Sequence, residues 1–283
     1  RLVALSFFSS GESLIHKDSK DYVAVAHNLV ARGIYSMDTG ADVKPDNFRT
    51  PLYPLFLAPF VYSNTSPYVV AIVQDILTAL GIALIYYLAH KLFNEKVAFF
   101  GALLFALEPY SALLNNQLLT EWLFAITLAP AFLLLAIYAK EKKAKYLYFS
   151  SILFALAALT KPLAMPLLLL VPIVSIFIKR DKSILICIVI ISAIIAPWII
   201  RNKINLDRWS FSTIGEYNLY NYNAKHFDRW LANQGVELKS NETYPNLSLE
   251  NYHHPDKADE YFENGKNFIL AHPFYYALFI FVK

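Results

Sequence analysis

The stretch YVVAIVQDILTALGIALIYYLAH, residues 68–90, decides the fold class of this chain. A helix needs about 20 predominantly apolar residues to cross a bilayer, and this stretch supplies them with Asp75 as its one acidic residue. The composition agrees, because 57% of the 283 residues are hydrophobic and only 17% are charged. A typical soluble domain has about 25% charged residues. We therefore predict an all-α polytopic membrane protein.

Other apolar segments predict further membrane helices at residues 97–113, 121–139 and 183–200. The segment 146–178 is too long for one simple span and is interrupted by TKP at 160–162. Proline removes a helical hydrogen-bond donor and disfavours helix in the residue before it. We therefore predict two short helices that turn back at Lys161-Pro162.

Three short loops are rich in basic residues: HKLFNEK (90–96), KEKKAK (140–145) and KRDK (179–182). Cytoplasmic loops of membrane proteins carry an excess of lysine and arginine. All three loops fall on one side of the membrane only if 146–178 is a hairpin, so the hairpin is favoured and that side is predicted to be cytoplasmic. The extracytoplasmic face then receives residues 11–67, the Lys161 turn and residues 201–266.

The predicted organisation has three parts. Residues 1–200 form a transmembrane bundle with an external loop at 11–67, residues 201–266 form an extracytoplasmic lobe, and residues 267–283 start a further, truncated transmembrane helix. Because the chain starts without a methionine and stops inside an apolar segment, we interpret it as a fragment, with RLVALSFFSS (1–10) as the tail of a first span. We expect a multi-pass protein, in the plasma membrane if the source is prokaryotic.

The first external element is DSKDYVAVAHNLVARG, residues 18–33, which has the apolar periodicity of an amphipathic helix. Asp18 is predicted to be its N-cap with Asp21 at the third helical position, and Gly33 is a natural helix stop. Periodicity leaves two interpretations of Asp18 open: it caps the helix only, or it also faces a cleft. We interpret Asp21 as a capping or surface residue.

Charged residues from several segments collect on the predicted outer face. The acids are Asp18, Glu121 and, inside a span, Asp75; the bases are Arg49, Lys161 and Arg201. Arg49 precedes a short apolar segment with three prolines, which predicts an interfacial or re-entrant helix over 47–60. The acids suit base chemistry or metal binding, and the bases suit a phosphate at the membrane surface. This combination predicts an enzyme that works on a lipid-linked phosphate.

An ordered set of motifs also carries a family resemblance: DSKDYVAVAHNLVARG, RTPLYPLFLAP, YYLAHKLF, LLTEWLF, LAALTKP, APWIIRN and YFENGKNFILAHPFYY. In their order and spacing they resemble the GT-C type polytopic glycosyltransferases of family 39. Within family 39 the chain resembles the group similar to dolichyl-phosphate-mannose protein mannosyltransferases, which includes the aminoarabinose transferases of lipid A. The resemblance implies a GT-C type helical bundle whose extracytoplasmic first loop carries amphipathic helices.

The resemblance also implies inverting transfer of a sugar from a polyprenyl-phosphate donor, dolichyl or undecaprenyl, to an acceptor hydroxyl on the extracytoplasmic side. The family's acidic first-loop element places its proposed catalytic base at Asp18, and a second external acid corresponds to Glu121. Arg49, Arg201 and Lys161, the last where arginine is more usual, correspond to positions expected to bind the donor phosphate. The candidate substrate contacts are Tyr22, Tyr53 and Asn202.

No organic cofactor is indicated, and a divalent metal, Mg²⁺, Mn²⁺ or Zn²⁺, between the acids and the phosphate is compatible with this chemistry. His253-His254 is interpreted as a solvated surface pair. The expected partners are a polyprenyl-phosphate-linked sugar, the bilayer and a protein, glycolipid or polysaccharide acceptor, with no nucleic acid. The alternatives are a transporter or flippase for a lipid-linked or anionic substrate, and a non-catalytic family member. Charges near the outer ends of spans, rather than at mid-membrane, favour surface chemistry.

Overall fold

Helices make up the regular structure of this protein. A computed structural model describes residues 14–178, 182–236, 244, 247 and 252–282, and no strand occurs in these ranges. The predicted tail of a first span, at 1–10, lies outside the described residues, as do the first three residues of the third basic loop. The predicted all-α polytopic membrane fold is confirmed.

The helices follow one another in this order: α1 (Lys17–Arg32), α2 (Leu52–Tyr62), α3 (Pro67–Leu92), α4 (Glu95–Leu107), α5 (Pro109–Asn116), α6 (Glu121–Glu141), α7 (Ala144–Thr160), a 3-10 helix (Pro162–Leu169), α8 (Leu170–Ile178), α9 (Ser183–Leu206), α10 (Ile214–Asn218), a π-helix (Leu219–Ala224), α11 (Lys225–Asn233), a short 3-10 turn (Pro255–Lys257), α12 (Ala258–Ala271) and α13 (Pro273–Val282). Of these, α3, α6 and α9 are long and apolar enough to cross a membrane. Helices α4 and α5 form a pair bent by 54°, which makes a fourth candidate span.

The chain breaks at the predicted hairpin turn. Helix α7 ends at Thr160, the backbone of Lys161 is extended, and Pro162 begins the 3-10 helix that leads into α8. Both the 3-10 helix and α8 pack against α7, so the predicted reversal at Lys161-Pro162 is confirmed. The hydroxyl of Thr50 donates to the carbonyl of Thr160 at 2.8 Å, which ties this turn to the first loop.

The bundle has two chemically different ends. At one end, Lys91 contacts Glu141 at 3.2 Å and Lys140 donates to the last residue of α3, so the first two basic loops lie together. Glu121 begins α6 and Lys161 follows α7, so both lie at the other end of the same helices. Helices of 21 and 17 residues separate the two ends by about 25–30 Å at 1.5 Å per residue.

Helix α1 begins earlier than its carboxylates predicted. Its N-cap is His16, whose backbone N–H donates to the Ser19 hydroxyl at 3.0 Å. The predicted N-cap role of Asp18 is therefore wrong, because Lys17 is already helical and Ser19 occupies the third helical position. Gly33 ends the helix with φ +68°, as predicted, in the left-handed conformation that glycine adopts without steric cost.

Helix α2 is the short helix predicted over 47–60, and it packs against α1. Beneath it, buried polar side chains link α2 to α3 and α5. The hydroxyl of Tyr53 donates to Gln74 Oε1 at 2.7 Å, Gln74 Nε2 donates to the Asn115 carbonyl at 2.8 Å, and Thr78 donates to Asn115 Oδ1 at 2.7 Å. The Asn115 amide donates in turn to Asp75. Satisfied polar groups of this kind fix one arrangement of the helices.

Most of the described residues of the segment predicted to be a lobe, 201–266, are helical. Its cluster of Ala224, Phe227, Leu231, Phe268 and Phe279 is buried between α11, α12, α13 and the π-helix. Helix α12 runs through the boundary predicted at 267, and the apolar helix α13 begins at Pro273. Gly265 of α12 lies so close to the π-helix that a Cβ there would meet the backbone of Tyr220 at 3.2 Å.

Candidate active site

A cavity of about 620 Å³ opens between the first loop and the lobe. Its walls come from α1, the residues before α2, the start of α6, the turn after α7, and the lobe segment 211–218. Five of the predicted site residues line it: Asp18, Tyr22, Arg49, Glu121 and Lys161. The rest of the lining is largely apolar and includes Leu119, Leu163, Met165, Phe211 and Ile214.

Arg49 is the buried charge of this cavity, with 11% of its side chain exposed. Its Nη2 lies 2.6 Å from Asp21 Oδ2 and 3.2 Å from Asp18 Oδ1, and its Nε donates to Asp21 at 3.2 Å. Burial lowers the pKa of Arg49, but the neighbouring Tyr22 and Asp21 raise it by more, so the pKa lies above its usual value. A permanently charged guanidinium therefore faces the cavity.

Two carboxylates flank Arg49 because they are three residues apart on one helix, where side chains at this spacing lie on the same face. Asp21 is 17% exposed, whereas 52% of the Asp18 side chain is exposed in the cavity. The interpretation of Asp21 as a capping or surface residue is therefore wrong. The spacing of Asp18 and Asp21 indicates that both carboxylates share one helix face. Arg49, however, lies 28 residues from Asp21 in the sequence, so the two could not be paired without the fold.

A second ion pair lies across the cavity. Lys161 Nζ is 2.9 Å from Glu121 Oε1, with 29% and 38% of the two side chains exposed. Glu121 is the first residue of α6, where the positive end of the helix dipole favours a carboxylate. Lys161 is held by the α7 turn. The cavity thus contains two carboxylate–cation pairs from separate segments of the chain.

Tyr22 lies between the two pairs. Burial is the main cause that raises the pKa of its hydroxyl, and the carboxylates of Glu121 and Asp18 raise it further. Arg49 opposes this rise, and its guanidinium carbon lies 5.0 Å from the centre of the Tyr22 ring. Tyr22 therefore keeps its proton and can donate a hydrogen bond to a group that enters the cavity.

Outside this cavity, one cluster of the described residues has the donor set of a metal site. His253 Nε2 and His254 Nε2 lie 2.8 and 2.9 Å from Asp38 Oδ1. The interpretation of the histidines as a solvated pair is wrong, because only 11% and 14% of their side chains are exposed. Burial raises the pKa of Asp38, but hydrogen bonds from His254, the Lys44 backbone and His253 outweigh it and lower the pKa to about 2.

The family model described as dolichyl-phosphate-mannose-protein mannosyltransferase matches residues 43–200, more than half of the chain. The chain belongs to this family. The resemblance carried by the sequence motifs is thereby confirmed. The family is one of membrane glycosyltransferases of the mannosyltransferase type, which implies a lipid-linked sugar donor. No curated protein and no solved structure matches the chain.

The residues matched to the mannosyltransferase family include Arg49, Glu121 and Lys161, three of the four charged groups that face the cavity. Asp18 and Asp21 precede the matched residues on α1. The structure, rather than the family match, is what brings these carboxylates to Arg49.

The structure separates three predicted site residues from this cavity. Arg201 donates through Nη1 to the Asp46 carbonyl at 2.6 Å and through Nη2 to the Tyr35 carbonyl at 2.9 Å, so it supports the first loop. Asn202 is buried and donates to the Ser210 carbonyl at 2.9 Å. Tyr53 is fully buried beneath α2, where its hydroxyl is already bonded. Arg201, predicted to bind the donor phosphate, and Tyr53 and Asn202, predicted to contact substrate, do not line the cavity, and their polar groups bond within the protein.

Proposed function

We propose that this protein transfers a sugar from a polyprenyl-phosphate donor, dolichyl or undecaprenyl, to an acceptor hydroxyl at the extracytoplasmic face. One observation supports this most directly: a single cavity holds Asp18, Arg49, Glu121 and Lys161, which come from four separate segments. The cations suit the donor phosphate and the carboxylates suit a proton acceptor. The mostly apolar remainder of the lining suits a lipid-linked substrate.

The donor phosphate is assigned to Arg49 and Lys161. Without substrate, each cation is paired with a carboxylate, at 3.2 Å for Arg49 with Asp18 and at 2.9 Å for Lys161 with Glu121. A phosphate would compete for both cations and release Asp18 towards the acceptor. Asp21 would still hold Arg49, because it accepts hydrogen bonds from both Nε and Nη2. The guanidinium fork then presents its remaining donors to the phosphate.

Asp18 is assigned as the base. The acceptor oxygen forms a bond to the anomeric carbon, the bond from that carbon to the phosphate oxygen breaks, and the acceptor proton passes to Asp18. The leaving polyprenyl phosphate gains one negative charge, which Arg49 and Lys161 stabilise. A single displacement of this kind inverts the anomeric centre. The half-exposed Asp18 carboxylate is accessible to an acceptor in the cavity.

Glu121 is assigned as the second carboxylate of the site. In the free protein it holds Lys161, and its other oxygen lies 3.5 Å from the Thr120 hydroxyl. Once a phosphate takes Lys161, Glu121 becomes available to orient the acceptor. The products of the transfer assay identify the sugar and show whether the acceptor is a protein, a glycolipid or a polysaccharide.

We also propose that Asp38, His253 and His254 hold a divalent cation. Two imidazoles and one carboxylate favour Zn²⁺ over Mg²⁺ and Mn²⁺, which prefer oxygen ligands. Ligand atoms about 2.1 Å from a tetrahedral zinc lie roughly 3.4 Å apart, so the present separations of 2.8 and 2.9 Å need only a small opening. When bound, the ion would supply coordination bonds between the first loop and the lobe.

The site is assigned to the extracytoplasmic side, in the plasma membrane if the source is prokaryotic. The basic loops around Lys91 and Lys140 lie at the opposite end of the bundle, and loops of this kind are cytoplasmic in most membrane proteins. A cysteine introduced at Thr65, next to α2, tests the assignment. An impermeant thiol reagent applied to intact cells should label it, and labelling only after lysis contradicts the assigned side.

Release of polyprenyl phosphate tests the reaction. The full-length protein in nanodiscs is given dolichyl- or undecaprenyl-phosphate mannose together with a membrane extract of the source organism as acceptor. We expect the wild type to release polyprenyl phosphate and Asp18→Asn to do so at least 100-fold more slowly, the scale of a lost general base. Movement of the donor across the vesicle membrane without its consumption would support the flippase alternative. The absence of both activities would indicate a non-catalytic family member.

A further inference from the structure

Asn218 differs from the other polar side chains of the cavity. The charged groups are paired with one another, and the hydroxyls of Thr50, Thr160 and Ser212 donate to backbone carbonyls. In the ranges that the structure describes, the Asn218 carbonyl accepts a hydrogen bond from Asn223 at 3.2 Å, but its side-chain amide has no hydrogen-bond partner. An amide that is not used for folding is therefore present in the substrate cavity.

The segment that carries Asn218 packs against the first loop. Ser212 donates to the Phe48 carbonyl at 2.7 Å, and the ring of Phe48 meets that of Tyr217 edge-on with centroids 5.5 Å apart. The π-helix starts directly after Asn218, and such helices are frequent at functional sites. The position of Asn218 in the cavity wall is therefore set by contacts that do not involve its own side chain.

Gly215 lines the same wall, three residues before Asn218 on α10. A Cβ added at Gly215 would meet no atom within 4 Å, so the glycine leaves open space rather than relieving a clash inside the protein. Residues three apart lie on one helical face. The wall thus combines an unpaired amide with a region of free volume.

We propose that Asn218 and Gly215 form a subsite for the hydroxyl groups of a sugar ring. An amide offers donors and an acceptor, which matches adjacent hydroxyls, and its neutrality does not compete with the cations for the phosphate. The free volume at Gly215 accommodates the ring. This inference rests on the proposed function, because it places the sugar of a glycosyl transfer. The ring belongs either to the donor or to a carbohydrate acceptor.

Kinetics of Asn218→Ala test the subsite, with Asn221→Ala as the matched control. Asn221 is on the same lobe segment, and its amide donates to the Tyr217 hydroxyl at 3.0 Å. We expect the KM for polyprenyl-phosphate mannose, or for the acceptor, to rise about tenfold in Asn218→Ala, the effect of one or two lost hydrogen bonds. The substrate whose KM rises identifies the ring. Wild-type values for both substrates would overturn the proposal.

A larger residue at Gly215 gives an independent result. Gly215→Val should fold like the wild type, since the space is open, and should raise the same KM as Asn218→Ala. If the amide contacts one ring hydroxyl of the donor, a donor that lacks this hydroxyl should bind more weakly to the wild type. Its binding to Asn218→Ala should not change. Equal weakening in both proteins at every hydroxyl of both substrates would contradict the contact.

The subsite can also be distinguished from the proposed reaction. If the wild type releases no polyprenyl phosphate, the proposed function fails. The subsite is then tested by titrating polyprenyl-phosphate mannose into the wild type and Asn218→Ala, and weaker binding to the variant still supports it. Equal binding of the donor to both proteins assigns the ring to the acceptor, and equal binding of the carbohydrate acceptor as well contradicts the subsite.

Discussion

Asp21 lies closer to Arg49 than Asp18 does: its Oδ2 is 2.6 Å from Nη2, whereas the nearest oxygen of Asp18 is 3.2 Å away. Asp21 is also the more buried of the two carboxylates. The two residues therefore have different tasks. In the proposed reaction, Asp21 positions the guanidinium, and the more weakly held Asp18 acts as the base.

This difference predicts distinct kinetics for the two aspartates. Asp21→Asn removes the charge that orients Arg49, so we expect the KM for the donor to rise about tenfold with kcat less affected. Asp18→Asn should instead lower kcat at least 100-fold and leave the donor KM within a fewfold. Initial rates over a range of donor concentrations measure both values. The same pattern in both variants would contradict the division of roles.

The two cations are predicted to respond differently to exchange. Arg49→Lys loses the fork that bonds Asp21 twice, and we expect at least a tenfold loss of kcat/KM. Lys161→Arg keeps its charge and can still pair with Glu121, so kcat/KM should stay within about threefold of the wild type. The two variants serve as controls for each other. Full kcat/KM in both variants would show that charge alone matters at both positions, and an equal loss in both would contradict the predicted difference.

Metal binding at Asp38, His253 and His254 can be tested without an assay of sugar transfer. Purified wild type should retain about one zinc ion per chain, and His253→Ala and Asp38→Asn should retain none. His226→Ala, another lobe histidine, is the control and should keep the ion. A chelator should lower the thermal midpoint of the wild type, because an ion at 100-fold its Kd contributes about 2.7 kcal/mol. A midpoint that EDTA leaves unchanged, with no metal retained, would exclude this site.

Helix α3 meets α6 closely at Gly81, where a Cβ would lie 2.6 Å from Ile126 Cγ2. Gly81→Ala should therefore destabilise the bundle by about 1–3 kcal/mol through overpacking. Gly101→Ala in α4 is the matched control, since a Cβ there meets nothing within 4 Å. Thermal unfolding of both variants in detergent measures the difference. Equal midpoints would contradict the close helix contact.

The sequence predicted the spans α3, α6 and α9, the hairpin turn and the four charged groups that line the cavity, because hydropathy, proline and basic loops act locally. It did not predict the 54° bend between α4 and α5. It did not predict the direction of Arg201, since α9 continues as a helix to Leu206 and the rotation of that helix decides where the side chain lies. Nor could it pair Asp38 with His253, 215 residues further on. Tyr53 likewise required the fold, because only packing shows which face of α2 is buried.

The bonds that join the first loop to the lobe also set an order of biosynthesis. Asn47 donates to Ser210 at 2.8 Å, and Ser212 donates to the Phe48 carbonyl at 2.7 Å. The two partners of each bond lie about 160 residues apart in the sequence. A ribosome has to synthesise and insert all the intervening helices before these partners meet. The cavity wall formed by residues 211–218 therefore cannot close until the whole membrane bundle up to α9 has been synthesised.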